Sequence, residues 1–144
     1  MTHPLRPGTT FLSSSPEDTA AFAAQVLRDF PKCRAFALHG DLGAGKTCFV
    51  RGLAHALGIT ESVTSPTFTI MREYTGQRRL VHGDLYRITN PEELLAIGFE
   101  EWFENNSLVA LEWAERAGDL LPPDALHLRF TVAPGTDRRQ IEIT

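Results

Sequence analysis

Apolar residues recur at helical spacing early in the chain and predict an α-helix with one buried face. That face consists of Ala20, Ala23, Val26, Leu27 and Phe30. Ser15 is a suitable N-cap for this helix, Pro16 fits its first helical position, and Asp18 can complete a pair resembling a capping box. Pro31 ends the helix, because proline cannot donate the backbone hydrogen bond that a further turn requires.

A second pattern combines a short apolar strand, a glycine-rich turn and another helix. The strand spans residues 34–39, and the helix spans about residues 45–57 and ends at Gly58. The apolar side of this helix consists of Phe49, Val50, Leu53 and Leu57. A strand, a glycine loop and a helix in this order are typical of the opening of an α/β sheet.

The rest of the chain contains further strand-like runs and one more helix. Asn90, Pro91 and Glu93 form a good helix start, and Gly98 ends that helix. The predicted strands span residues 67–74, 79–82, 108–111, 126–132 and 140–144. The early alternation predicts parallel strands around the glycine loop, and hairpin-like spacings predict antiparallel strands elsewhere.

Residues 40–47 match the phosphate-binding pattern G-x-x-x-x-G-K-[ST] in full. Its glycines let backbone N–H groups point at phosphate oxygens, and the following helix adds its positive N-terminal end. The side chain of Lys46 can reach the β- and γ-phosphates, and the hydroxyl of Thr47 can ligate Mg²⁺. We therefore predict that ATP binds here with Mg²⁺. The predicted nucleotide-binding residues are Asp41, Leu42, Gly43, Ala44, Gly45, Lys46, Thr47 and Cys48.

This motif in this context predicts an α/β fold: a single P-loop NTPase-like domain over residues 1–144, with a mixed, mostly parallel sheet and helices on both faces. A length of 144 residues and a hydrophobic fraction of 42% suit one domain. Two cysteines are too few for a disulfide framework and indicate reduced thiols in the cytoplasm. A net charge of −4 argues against autonomous binding of RNA or DNA. No apolar run is long enough for a membrane helix, so no membrane association is expected.

A P-loop also needs a carboxylate at the end of a neighbouring strand, which holds Mg²⁺ directly or through water. Asp84 follows the run at residues 79–82, and Glu112 follows the cleaner apolar run at residues 108–111. His82 and Asp84 would face the same side of a strand, because they are two residues apart. The pattern leaves both carboxylates as candidates, and at least one of them is expected in the site.

The expected base is adenine. Guanine-specific switch proteins usually read their base through an Asn/Thr-Lys-x-Asp motif, which lies after the phosphate loop. The sequence contains only two lysines, Lys32 and Lys46, and none follows the loop. This absence argues against GTP.

Several short motifs occur in one order along the chain, at residues 41–47, 65–68, 82–87, 112–113 and 120–122. In letters they are D-L-G-A-G-K-T, S-P-T-F, H-G-D-L-Y-R, E-W and L-L-P. In this order and at this chain length they resemble the TsaE family, bacterial P-loop proteins that are needed to make threonylcarbamoyladenosine in tRNA. The resemblance runs from about the first helix to Pro122.

For the site, the resemblance implies ATP and Mg²⁺ as ligands, with Glu112 and Thr47 on the metal side. It implies that Asp84 is an active-site acid on which hydrolysis depends. Thr67 would belong to a switch-like loop, and Trp113 would lie by the site. The choice between the two carboxylates as the metal-side acid is thereby made by the resemblance and not by the strand pattern.

For partners, the resemblance implies a complex with TsaD and TsaB, in which hydrolysis of ATP supports repeated rounds of tRNA modification. The chain would be a weak ATPase that its partners stimulate, while TsaD transfers the threonylcarbamoyl group. The chain would meet tRNA only indirectly, which agrees with its net charge of −4.

One position departs from the family pattern. Gly83, between His82 and Asp84, stands where a bulkier residue is expected. Glycine gives the backbone more freedom inside a strand, and this freedom bears on the aim of Asp84.

Two other classes of function are compatible with the same loop. A small-molecule kinase also needs an acceptor pocket and an arginine-rich lid. Its lid arginines would be Arg78, Arg79, Arg138 and Arg139, although the chain is short for such additions. A nucleotide-binding adaptor would bind ATP without turning it over. Phosphate transfer to a small acceptor would identify the kinase, and binding without turnover under every partner condition would identify the adaptor.

Overall fold

The computed structural model of the protein describes residues 4–40, 45–66 and 70–144. The strands in these ranges are β1 (Thr10–Ser13), β2 (Ala35–Gly40), β3 (Met71–Tyr74), β4 (Leu80–Asp84), β5 (Leu108–Glu112), β6 (Leu126–Val132) and β7 (Arg139–Ile143). The α-helices are α1 (Pro16–Asp29), α2 (Lys46–Ala56) and α3 (Glu92–Ala96), and two 3₁₀ segments span Phe99–Phe103 and Ala114–Leu120. None of the helices in the described ranges combines the length and apolar character that crossing a membrane requires.

The strands form one sheet in the order β1-β7-β6-β2-β5-β4-β3. The central strands β6, β2, β5 and β4 are parallel to one another. At the edges, β7 and β3 run antiparallel to β6 and β4, and β1 runs antiparallel to β7 and hence in the direction of the centre. Because β2 lies between the parallel strands β5 and β6, the carboxyl end of β2, from which the predicted phosphate loop continues, is flanked by parallel strands.

Both faces of the sheet are covered, because alternate side chains of the central strands point to opposite sides. Helices α1 and α2 cover one face, over a core that includes Phe36 and Leu38 of β2. Helix α3 and the two 3₁₀ segments cover the other face, where Trp102 packs with Val109 and Leu111 of β5. The predicted fold class is confirmed: an α/β fold with a mixed, mostly parallel sheet and helices on both faces.

The start of α1 follows the predicted capping pattern. The hydroxyl of Ser15 accepts a hydrogen bond of 3.1 Å from the backbone N–H of Asp18. The carboxylate of Asp18 in turn accepts one of 3.0 Å from the N–H of Ser14. A cap of this kind stabilises a helix by about 1 kcal/mol, so the short polar run before α1 has a defined structural role.

Strand β1 is missing from the prediction based on sequence. It has four residues, and its register comes from pairing with β7, with Thr10 opposite Glu142. The ring of Phe11 stacks on Phe22 of α1 at a centroid distance of 4.4 Å. Partners so distant in the sequence leave no local periodicity from which such a strand could be predicted. In the predicted strand at residues 67–74, residues 67–69 lie outside the described part of the chain.

Candidate nucleotide-binding site

The carboxyl ends of β2, β4 and β5 meet near the N-terminus of α2. Glu112 ends β5 and lies opposite Leu38 of β2 on one side and Asp84 of β4 on the other. Gly40 ends β2, and Lys46 begins α2. The topology thus brings both candidate acids and the predicted phosphate-binding lysine to one edge of the sheet.

Lys46, Glu112 and His82 form a buried polar chain. The Nζ atom of Lys46 donates to the carbonyl oxygen of Gly40 at 2.7 Å and lies 3.6 Å from Oε1 of Glu112. The other oxygen of Glu112, Oε2, lies 2.9 Å from Nε2 of His82. The exposed fractions of these residues are 9% for Lys46, 8% for Glu112 and 0% for His82. Each carboxylate oxygen therefore has its own partner, and the orientation of the carboxylate is fixed.

The surroundings of Glu112 favour its ionised form. Burial by itself raises the pKa of this carboxyl group, but the hydrogen bond from His82 and the charge of Lys46 outweigh burial and lower the pKa below its ordinary value. Glu112 is therefore a carboxylate at neutral pH. An ionised, oriented oxygen donor is the kind of ligand that Mg²⁺ prefers.

Asp84 lies beside Glu112 and is less deeply enclosed. Its Oδ1 accepts a hydrogen bond of 3.0 Å from the backbone N–H of Tyr86. Burial raises the pKa of Asp84, the hydrogen bond from Tyr86 offsets part of this, and the negative charge of Glu112 raises the pKa further. The pKa values of the two neighbouring acids are therefore shifted in opposite directions, which suits them to different tasks.

The N-terminus of α2 faces the same edge of the sheet. Gly45 precedes the helix with a φ of 102°, in the left-handed region that favours glycine. Backbone N–H groups in a first helical turn, such as those of Thr47 and Cys48, lack acceptors inside the helix and suit an anion. The other predicted phosphate-binding residues Asp41, Leu42, Gly43 and Ala44, and Thr67 of the switch-like loop, lie outside the described residues.

A cavity of about 240 Å³ opens beside this helix start. Gly45 and Cys48 line it on the side of α2, while Ser13, Pro16 and Arg139 belong to its other walls. The cavity therefore adjoins the start of α2. The predicted residue Cys48 thus lies in its wall. No motif indicated the wall at Ser13, because the pairing of β1 with β7 creates it.

Trp113 follows Glu112 directly and has an unusual backbone conformation. Its φ of 57° and ψ of 40° lie in the left-handed region, which a bulky residue rarely adopts. Its ring meets that of Tyr86 at a centroid distance of 5.0 Å, and the guanidinium carbon of Arg116 lies 5.3 Å from its centre. These contacts hold an aromatic surface, 38% exposed at Trp113, next to the two acids.

The residues present fit a magnesium ion that accompanies a nucleotide. Among the residues that the structure describes, no cluster of three or more His, Cys, Asp or Glu could hold a metal ion by itself. Mg²⁺ in nucleotide sites needs no such cage, since it takes one or two carboxylates together with phosphate oxygens and water. The buried carboxylate of Glu112 and the hydroxyl of Thr47 are oxygen donors of the kind that such an ion takes.

Two histidines, whose contact no sequence motif predicts, meet near the carboxyl end of β2. Nε2 of His39 lies 2.9 Å from Nδ1 of His127, with the ring planes only 9° apart. Burial lowers the pKa of His39, and the neighbouring His127 lowers it further. The two residues belong to β2 and β6, so only the sheet order brings them together.

Close packing, and not an unusual backbone conformation, explains why a glycine stands at position 83. The φ of Gly83 lies outside the left-handed region. A Cβ atom at Gly83 would lie 2.9 Å from Cζ3 of Trp102 and 2.8 Å from Cδ2 of Leu111. We predict that Gly83→Ala lowers the free energy of unfolding by about 1–3 kcal/mol, because both neighbours are buried in a packed core. Denaturant unfolding of the variant measures this loss.

The contact with the indole of Trp102 should account for part of this loss of stability, which a double-mutant cycle can test. Trp102→Phe removes the ring atom nearest to the added methyl group, so Gly83→Ala should cost less in that background than in the wild type. Strictly additive losses would contradict this explanation.

Comparisons with known proteins identify relatives of this chain. The family model described as "Threonylcarbamoyl adenosine biosynthesis protein TsaE" matches residues 13–141. The "tRNA threonylcarbamoyladenosine biosynthesis protein TsaE" of Treponema pallidum is 42% identical over 127 residues, which cover 88% of this chain and 94% of that protein. The protein of the same name from Bacillus subtilis is 40% identical over 131 residues, which cover 90% of this chain and 81% of that protein.

A solved structure agrees as well. The crystal structure of YdiB from Bacillus subtilis is similar to this chain with a TM-score of 0.77 and 35% sequence identity, over 99% of this chain and 87% of that one. The match to the family model spans most of the sequence, and the relatives named exceed 30% identity over most of their length. This chain therefore belongs to the TsaE family.

Proposed function

We propose that this chain binds ATP with Mg²⁺ and hydrolyses it weakly, as the ATPase that supports threonylcarbamoyladenosine modification of tRNA together with TsaB and TsaD. The observation that carries the proposal is the buried chain formed by Lys46, Glu112 and His82 at the N-terminus of α2. A lysine and an oriented carboxylate at this place are what a nucleotide with its metal requires. The names of the relatives support the assignment to threonylcarbamoyladenosine biosynthesis.

In this proposal Lys46 binds the phosphates. Its Nζ is held 2.7 Å from the carbonyl oxygen of Gly40 and can exchange this neutral acceptor for a phosphate oxygen, which makes a stronger hydrogen bond. The first-turn N–H groups of α2 add donors at the same place. Glu112 and Thr47 would hold Mg²⁺, which would supply positive charge against the phosphates.

Asp84 is the residue that hydrolysis depends on. It lies opposite Glu112 in the register of β4 and β5, within the same cluster. Its raised pKa leaves a carboxylate more basic than an ordinary aspartate. Such a group can accept a hydrogen bond from water and orient the water for attack on a phosphate.

The nucleoside lies in the cavity lined by Gly45, Cys48 and Arg139. Its volume of about 240 Å³ admits one base with part of its sugar, and its walls combine hydroxyl groups, the apolar ring of Pro16 and the charged residues Asp137 and Arg139. TsaB and TsaD supply the surfaces for tRNA, because the net charge of this chain is −4 and gives it no general attraction for a polyanion.

The experiment that tests the proposal is phosphate release from ATP by the purified chain, alone and with TsaB and TsaD. We expect slow release by the chain alone and a clear rise with both partners. A Lys46→Met variant mixed with the same partners is the matched control, and its release should stay at background. Bound ATP without release under every condition would replace the ATPase by an adaptor, and a phosphorylated small molecule would replace it by a kinase.

A further inference from the structure

We propose that His82 is a positioning residue for the metal-side acid: it holds the carboxylate of Glu112 in the orientation that presents Oε1 to the cation. This role rests on the proposed function, because it concerns how the chain prepares the Mg²⁺ site. His82 belongs to β4 and is fully buried, so it touches neither nucleotide nor water directly. It acts through Glu112.

The geometry divides the two oxygens of Glu112 between two partners. Nε2 of His82 lies 2.9 Å from Oε2, while Oε1 faces Nζ of Lys46 at 3.6 Å. His82 pairs in register with Ala110, two residues before Glu112. Its imidazole therefore approaches the carboxylate from the N-terminal side of β5. With Oε2 fixed in this way, Oε1 is the oxygen that remains directed at Lys46.

The remaining nitrogen of His82 indicates that the residue is not there for stability. Within the residues that the structure describes, Nδ1 of His82 is buried and has no hydrogen-bond partner. An unpaired buried polar atom costs free energy of folding, which an apolar side chain of similar size would avoid. Among the described residues, the polar contact that this ring makes is with Glu112, and the orientation of that acid is what the histidine contributes.

Loss of His82 should therefore weaken the binding of a cation at Glu112 more than the binding of phosphate groups by the chain. Without the contact at Oε2, the carboxylate can turn both oxygens toward Lys46, and a metal must compete with that ion pair. Residues that orient a metal ligand typically change metal affinity by about 10- to 100-fold when they are replaced. The phosphates can still bind to Lys46 and the N-terminus of α2, so the affinity for the nucleotide without metal should change little.

A matched pair of variants separates orientation from packing. In His82→Gln the side-chain amide ends near the place of Nε2 and can still donate to Oε2. In His82→Asn the amide ends near the place of Nδ1 and cannot reach it. His82→Leu removes the donor altogether while keeping most of the volume. Ser107→Ala controls for lost stability, because Ser107 is also a buried polar residue, and its hydroxyl bonds to Glu104 and Arg79 before the start of β5, whereas Glu112 is at the end of that strand.

The measurement is the anisotropy of a fluorescent, non-hydrolysable ATP analogue, first in EDTA and then across a Mg²⁺ titration, with the thermal midpoint of each nucleotide-free variant. We expect His82→Asn and His82→Leu to need about 10- to 100-fold more Mg²⁺ for the half-maximal change in anisotropy. Their affinity for the analogue in EDTA should equal that of the wild type. His82→Gln should recover most of this loss. Ser107→Ala should lower the thermal midpoint and leave the Mg²⁺ dependence unchanged.

Three outcomes would overturn the inference. Wild-type Mg²⁺ dependence in both His82→Asn and His82→Leu would show that Glu112 needs no support from His82. An equal defect in all three variants, glutamine included, would show that the position tolerates no change for reasons of packing. A wild-type chain that binds the analogue without any effect of Mg²⁺ would overturn the proposed function itself, and this role with it.

Discussion

Lys46→Ala should bind ATP about 10- to 100-fold more weakly than the wild type and release phosphate only at the background rate, even with partners present. Lys46 is buried at the start of α2, and a hydrogen bond from its ammonium group to a phosphate is of the strong, charge-assisted kind. No neighbouring lysine can take over, because the only other lysine of the chain is Lys32. Lys46→Arg should fail as well, because a planar guanidinium does not fit the place of a compact ammonium.

The measurement is a titration with a fluorescent ATP analogue, together with phosphate release in the presence of TsaB and TsaD. Removal of Lys46 also takes a partner from the buried carboxylate of Glu112, so a lower thermal midpoint is expected. Lys46→Met fills more of the vacated space and separates lost binding from lost folding. Lys32→Ala is the matched control and should behave as the wild type. Unchanged affinity and turnover in Lys46→Ala would contradict the assignment of the loop.

Asp84→Asn should hydrolyse ATP about 10²- to 10⁴-fold more slowly than the wild type while it binds the nucleotide with similar affinity. Asparagine keeps the shape of the side chain and can still accept the hydrogen bond from Tyr86. It cannot act as a basic group toward water. Its effect should therefore fall on turnover, in contrast to that of Lys46→Ala, which falls on binding.

The Asp84→Asn variant should be more stable than the wild type at neutral pH. The direction of this change in stability follows from the raised pKa of Asp84. Burial and the charge of Glu112 raise this pKa in the folded state, so the folded protein binds the proton more tightly than the unfolded chain does. The stability from that proton is present at low pH and is lost as pH rises through the folded pKa. Asparagine resembles the protonated form at every pH, so its advantage in thermal midpoint should grow from acid to neutral pH.

Thermal midpoints across this pH range test the stability effect, and phosphate release with partners tests the effect on turnover. Asp119→Asn is the matched control, because Asp119 is an exposed acid on the 3₁₀ segment after Glu112. It should change neither quantity. Wild-type turnover in both Asp84→Asn and Glu112→Gln would contradict the assignment of these acids to the site.

The elements around the phosphate loop could be predicted because local signals define them. The N-cap Ser15, the glycines of the loop and the apolar runs of β2, β5 and β6 each follow from nearby sequence. Strand β1 and the 3₁₀ segment after Glu112 could not be predicted in this way. Their places depend on partners across the sheet, which a single sequence does not show.

The site was predictable in part for the same reason. The strand pattern placed Asp84 and Glu112 at strand ends and left their order of importance open, because each follows an apolar run. Their opposite pKa shifts arise from contacts with His82, Lys46 and each other, and these depend on the register of β4 against β5. The roles of the two acids in turnover and metal binding remain predictions that the variants above can test.

The place of β2 in the sheet determines when this strand can complete its pairing while the chain is being synthesised. One of its two neighbours is β6, and the contacting residues His39 and His127 are 88 positions apart in the chain. At ribosomal rates of about 5–20 residues per second, the strand that leads into the phosphate loop waits roughly 4 to 18 seconds for this neighbour. A nascent chain therefore exposes one backbone edge of β2, with unpaired N–H and C=O groups, until β6 has been made.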